Sequence, residues 1–217
     1  MRQINKVDHR GLFNVLLLFA ILLFLGATLM TGESLAASVQ VSISSTLMLL
    51  ATILTIQSKR EMLLYFAVGV ILLREASRFL IQNPVFDTLA SLANVVFFLF
   101  IVFHLVKQVA RSREVDLAVI LESVNGYLLV GLSGGILLAM TAVFQEGSFG
   151  GEQVSRFSDY IYFGFVTMTT IGYGEITPVT GLARWVAIIT GVSGQLYIAI
   201  IIATLVGKYL ARKGGSK

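Results

Sequence analysis

Long apolar runs constrain this chain more than any other feature. Residues 11–30, 36–56, 85–106, 117–144 and 183–206 each contain at most one Asp, Glu, Lys or Arg. Their lengths match the about 20 residues a helix needs to cross a hydrocarbon core. Inside a bilayer no water is available to backbone amides, so only helices or closed barrels span it. Mean hydropathy is +0.86 and only 13% of residues are charged. A soluble domain averages about 25% charge, so that class is excluded. The expected fold class is an all-α membrane protein. No cysteine is present, which removes disulfide and thiolate chemistry.

Residues 62–73 are also uncharged, but Arg74, Glu75 and Arg78 follow before Gln82-Asn83-Pro84 turns the chain. At a rise of about 1.5 Å per residue, these charges fall in the outer part of a third span. They are expected to snorkel to the headgroups with a local Arg–Glu pair, or to meet polar partners within a four-helix domain. Lys and Arg set orientation, because they concentrate on the cytoplasmic side. Arg2, Lys6, Arg10, Lys59, Arg60, Lys107, Arg111, Arg113, Lys208, Arg212, Lys213 and Lys217 share one side of a six-span arrangement; Arg156 and Arg184 lie on or near the other. Both termini are therefore expected in the cytoplasm. That sidedness accounts for the net charge of +4, and nothing points to nucleic acid. The first run exceeds a signal-peptide core of roughly 7–15 residues and is read as a retained span.

The fourth run, 85–106, holds Asp87 and His104 but no Arg or Lys. One charge moved through 100 mV is worth about 2.3 kcal/mol, so this span cannot drive steep voltage gating. His104 is expected to cap or hydrogen-bond near the interface. Residues 107–116 read as an amphipathic linker on the inner membrane surface, dividing a peripheral four-helix domain, 1–106, from a second domain, 117–217. In the latter, Gly131 and Gly135 form a GxxxG face for close packing. Glu122 and Asn125 fall near the inner end of a helix long enough to extend beyond the bilayer.

Between the last two spans lies Thr169-Thr170-Ile171-Gly172-Tyr173-Gly174, followed by Glu175-Ile176-Thr177-Pro178. Glycines one residue apart admit backbone conformations that a Cβ forbids. Alternating left- and right-handed residues then point successive carbonyls to one side. Four such strands around an axis would stack rings of carbonyl oxygen, which can replace the water shell of a monovalent cation. Residues 159–170, capped by Ser158 or Asp159, make a helix too short to span. Such a re-entrant element is tolerated where protein and water surround it, and its C-terminal partial charge favours a cation. Gly-Tyr-Gly alone is a common turn in soluble proteins; here it sits between a short helix and a membrane span.

TTIGYG resembles the selectivity filter of tetrameric potassium channels. The likeness covers 159–178 closely and 182–207 more loosely. It implies six transmembrane helices plus a re-entrant pore helix and filter loop, assembled as a homotetramer in a prokaryotic-type plasma membrane. Function would be passive K+ conduction with no enzymatic cycle. No cofactor is implied beyond K+ as permeant ion, and the partners would be the lipid bilayer and further copies of the chain. The carbonyls of Thr170, Ile171, Gly172 and Tyr173 and the Thr170 hydroxyl would bind dehydrated K+, with Gly174 closing the outer mouth. Tyr173 would turn from the pore to pack on Tyr160, Tyr162 or Phe163. Thr169, Glu175, Tyr162 and Val166 would support the filter. Glu175 stands where the family commonly has Asp, and Val166 where some members have Glu, so fewer polar contacts are expected there. The first four spans resemble a voltage sensor in layout, without its charge ladder. Gly194 falls at a gating-hinge position or packs against the pore helix; Ala199, Ala203 and Gly207 form a small-residue seam for helix crossing. With about ten residues after the last span, no nucleotide- or Ca2+-binding regulatory domain is expected within this sequence. Rival expectations are a K+ transporter subunit, whose relatives carry four degenerate pore units per chain, and a non-conducting scaffold that kept the pore fold.

Overall fold

The computed structural model describes residues 9–30, 35–56, 60–77, 83–112, 114–151 and 154–214. Arg2, Lys6, Lys59, Arg78, Gln82, Arg113 and Lys217 lie outside the described residues. The chain is mostly helical, as its composition requires. Its helices are α1 (His9–Met30), α2 (Leu35–Thr55), α3 (Arg60–Ala76), α4 (Pro84–Arg111), α5 (Leu117–Phe144), α6 (Phe157–Met168) and α7 (Gly181–Gly214). Two short strands, β1 (Phe149–Gly150) and β2 (Thr177–Pro178), pair antiparallel, Phe149 opposite Pro178 and Gly150 opposite Thr177. Among the described residues, four helices are long and apolar enough to cross a membrane: α1, α4, α5 and α7. Within α2, Val39–Thr55 is a shorter apolar helix.

Local chemistry fixes where helices begin. Asn83 Oδ1 accepts from Val85 N at 2.9 Å, with proline in the first turn of α4; both satisfy or remove amides that have no partner inside the helix. Asp116 Oδ1 accepts from Val119 N at 2.9 Å and caps α5 in the same way. The expected linker 107–116 is shorter than its sequence suggested, because α4 continues through Arg111. Leu105 and Val109 are buried, so the stripe facing the core carries on past Lys107, whose Nζ lies over the Phe103 ring.

One core joins the two halves of the chain. Leu17, Ile21, Phe97 and Phe98 share it with Leu129, Leu132 and Ile161. Helix α4 lies along α5, α1 packs on both α2 and α5, and α3 touches α2 and α4. Arg74 and Glu75 make the local pair and polar contacts to a neighbouring helix at once. They pair with each other at 2.8 Å while also binding α2: Arg74 Nη2 donates to Thr46 Oγ1 at 3.1 Å and the Ser42 hydroxyl donates to Glu75. His104 Nδ1 sits 2.9 Å from the Phe100 carbonyl, a contact within its own helix.

Glu122 and Asn125 do not reach solution at the end of α5. Both are fully buried. Arg10 of α1 holds Glu122 with two bonds of 2.7 Å, and Asn125 Nδ2 donates to the Asn14 carbonyl at 2.9 Å.

Glycines set the distance between α5 and α6. A Cβ on Gly164 would lie 2.9 Å from Gly135 Cα, and one on Gly135 would lie 2.8 Å from Ile161 Cα. One on Gly131 would meet Phe165 Cε1 at 2.5 Å. Backbone cannot yield as a side-chain tip can, so Gly164→Ala is expected to destabilise the fold by about 1–3 kcal/mol. Thermal unfolding in detergent reads this, with Gly26→Ala, which meets open space, as the neutral control. Equal midpoints for the two variants would contradict the account.

Candidate functional site

Helix α6 starts at Phe157, two residues before the expected Asp159. Asp159 acts from the third helical position rather than as the cap: its Oδ2 accepts from the amides of Arg156 at 2.9 Å and Ser155 at 3.2 Å. The carboxylate thereby fixes the chain entering α6. At the other end, Gln195 of α7 donates to the Met168 carbonyl at 3.1 Å. Sequence reasoning missed this residue, although a lone amide in the middle of an apolar span was the available signal.

Beyond α6 the backbone is left-handed at every second residue: Thr170 (φ 62°), Gly172 (φ 57°) and Gly174 (φ 90°). This is the alternation expected of the two glycines, extended one step to a threonine. Thr170 is the non-glycine residue with positive φ among the described residues. Such a conformation costs on the order of 1–3 kcal/mol and persists only where neighbouring structure imposes it. Here α6 does so. Its last carbonyls have no partner inside the helix, and they accept the loop amides: Thr170 N on Thr167 O at 3.1 Å, Ile171 N on Val166 O at 3.1 Å, and Gly172 N on Val166 O at 3.4 Å. Val166 thus meets the loop through its carbonyl, its side chain being buried. Thr169 turns back as well, its hydroxyl donating to Phe165 O at 2.7 Å.

Residues 170–175 are exposed on the single chain. Ile171 is 53% exposed and Tyr173 is 71% exposed. The rings of Tyr160 and Phe163 stand 5.2 and 5.7 Å from that of Phe149, which seats them against the β1 loop. Tyr162 remains on the loop side, where its hydroxyl lies within the electrostatic reach of Glu175 and Tyr173. Behind it, Gly151 (φ 133°) lets the β1 loop close on the Glu175 carbonyl, which an added Cβ would approach to 2.2 Å.

Gly194 is buried by packing. A Cβ there would lie 2.1 Å from Met168 Cγ and 2.9 Å from Met168 O, and α7 runs unbroken through this position. Ala199, Ala203 and Gly207 are exposed on the single chain. A groove of about 790 Å³ separates Thr170 and Gly172 from Ile188, Val192 and Gln195 on α7. At the far end of α7, Lys208 Nζ caps the last turn of α4, donating to Val109 O, to Ala110 O at 3.0 Å and to Ser112 Oγ at 2.9 Å.

Residues 118–211 match the family described as Ion channel. The family is described as one of ion channels, not enzymes, and two of the relatives named below are potassium channels by name. The chain is 33% identical over 85 residues to potassium voltage-gated channel subfamily A member 5 of Rattus norvegicus, covering 39% of this chain and 14% of that one. It is 37% identical over 87 residues to two pore potassium channel a of Oryza sativa subsp. japonica, covering 40% and 23%. Protein LctB of Geobacillus stearothermophilus is 36% identical over 59 residues, covering 27% and 43%. The chain thus spans less than half the length of each of these relatives. No solved structure matches it. Helices α5 to α7 carry the matched residues, and Lys208 ties the last of these helices to α4. Lys208→Met is expected to speed amide exchange in the last turn of α4 while leaving α6 unchanged, because the capped carbonyls lose their donor. Unchanged exchange at 108–112 would show that the clamp contributes nothing.

Proposed function

We propose that four copies of this chain form a potassium-selective channel in a cell membrane of prokaryotic type. Six spans, with both termini cytoplasmic, would surround a central pore built from residues 117–217. The carbonyls of Thr170, Ile171, Gly172 and Tyr173 and the Thr170 hydroxyl bind dehydrated K+, and Gly174 closes the outer mouth. The observation that carries this reading is the left-handed backbone at residues 170, 172 and 174, on a loop whose exposed face needs a partner. Names of relatives from animals and plants, potassium channels by description, support the choice of ion. K+ sheds its water at Thr170 and leaves by repulsion between ions in adjacent sites. Other copies cover Tyr173, the groove beside Thr170 and the seam at Ala199, Ala203 and Gly207. Thr169, Val166, Tyr162 and Glu175 hold the loop to the short helix.

Residues 1–106 form a peripheral domain without an Arg ladder on α4, so opening depends little on voltage. Gly194 sets the packing of α7 on Met168, and bending near it opens the inner crossing. K+ flux in proteoliposomes, together with particle symmetry in detergent, tests the assembly. Fourfold particles that carry K+ are expected; dimers, or fourfold particles without flux, would overturn it.

A further inference from the structure

The last four carbonyls of α6 have no partner inside the helix, and each finds one outside it. Three take amides of the chain that follows: Phe165 O from Thr169, Val166 O from Ile171 and Thr167 O from Thr170. Met168 O is the fourth, and it accepts from Gln195 Nε2 of α7 at 3.1 Å. Two glycines bring α7 close enough for that bond. A Cβ on Gly194 would lie 2.9 Å from Met168 O, and one on Gly191, a turn earlier, 3.7 Å from Thr167 O. The peptide unit joining Met168 to Thr169 is thus tied at both ends, its N–H to Phe165 O and its C=O to Gln195. Beyond it the pattern changes: among the described residues, no donor bonds the carbonyls of Thr170 to Tyr173. Gln195 stands where carbonyls held by the protein give way to carbonyls left open, and it lines the groove that Thr170 and Gly172 also line.

We propose that Gln195 is a positioning residue for ion selectivity, its amide fixing the Met168–Thr169 peptide plane from which the left-handed turn at Thr170 starts. Thr170 holds φ 62°, a conformation that persists only where neighbouring structure imposes it. With the Met168 carbonyl untied, that plane can rotate and Thr170 can relax, which swings its carbonyl and hydroxyl out of line with Ile171 and Gly172. Packing by α7 does not replace the bond, because an apolar side chain of equal length offers the carbonyl no donor. The selectivity half rests on the proposed channel function; the support of the loop does not.

Gln195→Met keeps the length of the side chain and removes the donor. Gln195→Glu keeps its shape but, once ionised, can only accept, and of the two it alone adds charge to the groove. Gln195 is exposed on the single chain, so both variants are expected to fold. Amide exchange of the full chain in detergent reads the support: exchange at Thr170, Ile171 and Gly172 is expected to quicken about tenfold or more in both variants, with none at 108–112 on α4. In proteoliposomes the bi-ionic reversal potential reads the selectivity. Four copies each lose a bond, so preference for K+ over Na+ is expected to fall about tenfold or more in both variants. Unchanged exchange and unchanged preference in Gln195→Met overturn the role. Loss of preference in Gln195→Glu alone assigns the effect to added charge, and quickening that spreads to α4 assigns it to general loosening; either also overturns the role. Faster exchange at the loop with wild-type preference overturns the selectivity half, and absence of any flux in wild type refutes the channel reading while leaving the exchange result intact.

Discussion

Gly172→Ser is expected to abolish selective K+ flux without unfolding the chain. The residue holds φ 57°, where an L side chain costs about 1–2 kcal/mol. Nothing lies within 4 Å of the position a Cβ would take, so packing inside one chain is not at issue. The cost is conformational, and in the proposed assembly it recurs in four copies around one axis. Since about 1.4 kcal/mol is a factor of ten, flux or selectivity should fall by well over tenfold. A bi-ionic reversal potential, K+ against Na+, should move to near zero or become unmeasurable. Gly181→Ser is the control, because that glycine also meets open space but opens an ordinary helix. If Gly172→Ser keeps the wild-type reversal potential, the alternating backbone is not what selects the ion.

Arg10→Met is expected to be the most destabilising single change outside the glycine contacts. It leaves the Glu122 carboxylate fully buried and deprived of both 2.7 Å bonds. Breaking a buried pair from one side costs about 3–5 kcal/mol, whereas replacing both partners with apolar groups is often neutral. Arg10→Met with Glu122→Leu should therefore recover most of the loss. The effect should extend to α7, because Tyr197 donates to the carbonyl of Ser123, the residue next to Glu122, at 2.9 Å. Thermal unfolding of both single variants and the double completes a double-mutant cycle. A double variant no more stable than Arg10→Met alone would remove the ion pair as the cause.

Much of the site was legible because its chemistry is local. Gly172 and Gly174 announce left-handed backbone, and the run before them is too short to span a bilayer. The structure bears out both features, though α6 begins at Phe157 because Asp159 binds amides from inside the helix. The end of α4 was misjudged for an equally local reason: Lys107 and Arg111 suggested a surface segment, while Leu105 and Val109 kept the helix against the core.

Sequence alone determined the solvent, the helical class and the left-handed backbone at residues 172 and 174, since hydropathy, helix length and the missing Cβ are properties of single residues and short runs. Tertiary structure alone decided that Arg10 meets Glu122 across 112 residues, that Lys208 caps α4, and that Gln195 ends α6. Each of these depends on which faces of distant helices meet. That choice follows from shape and polar satisfaction summed over the whole core, and no window of sequence contains it.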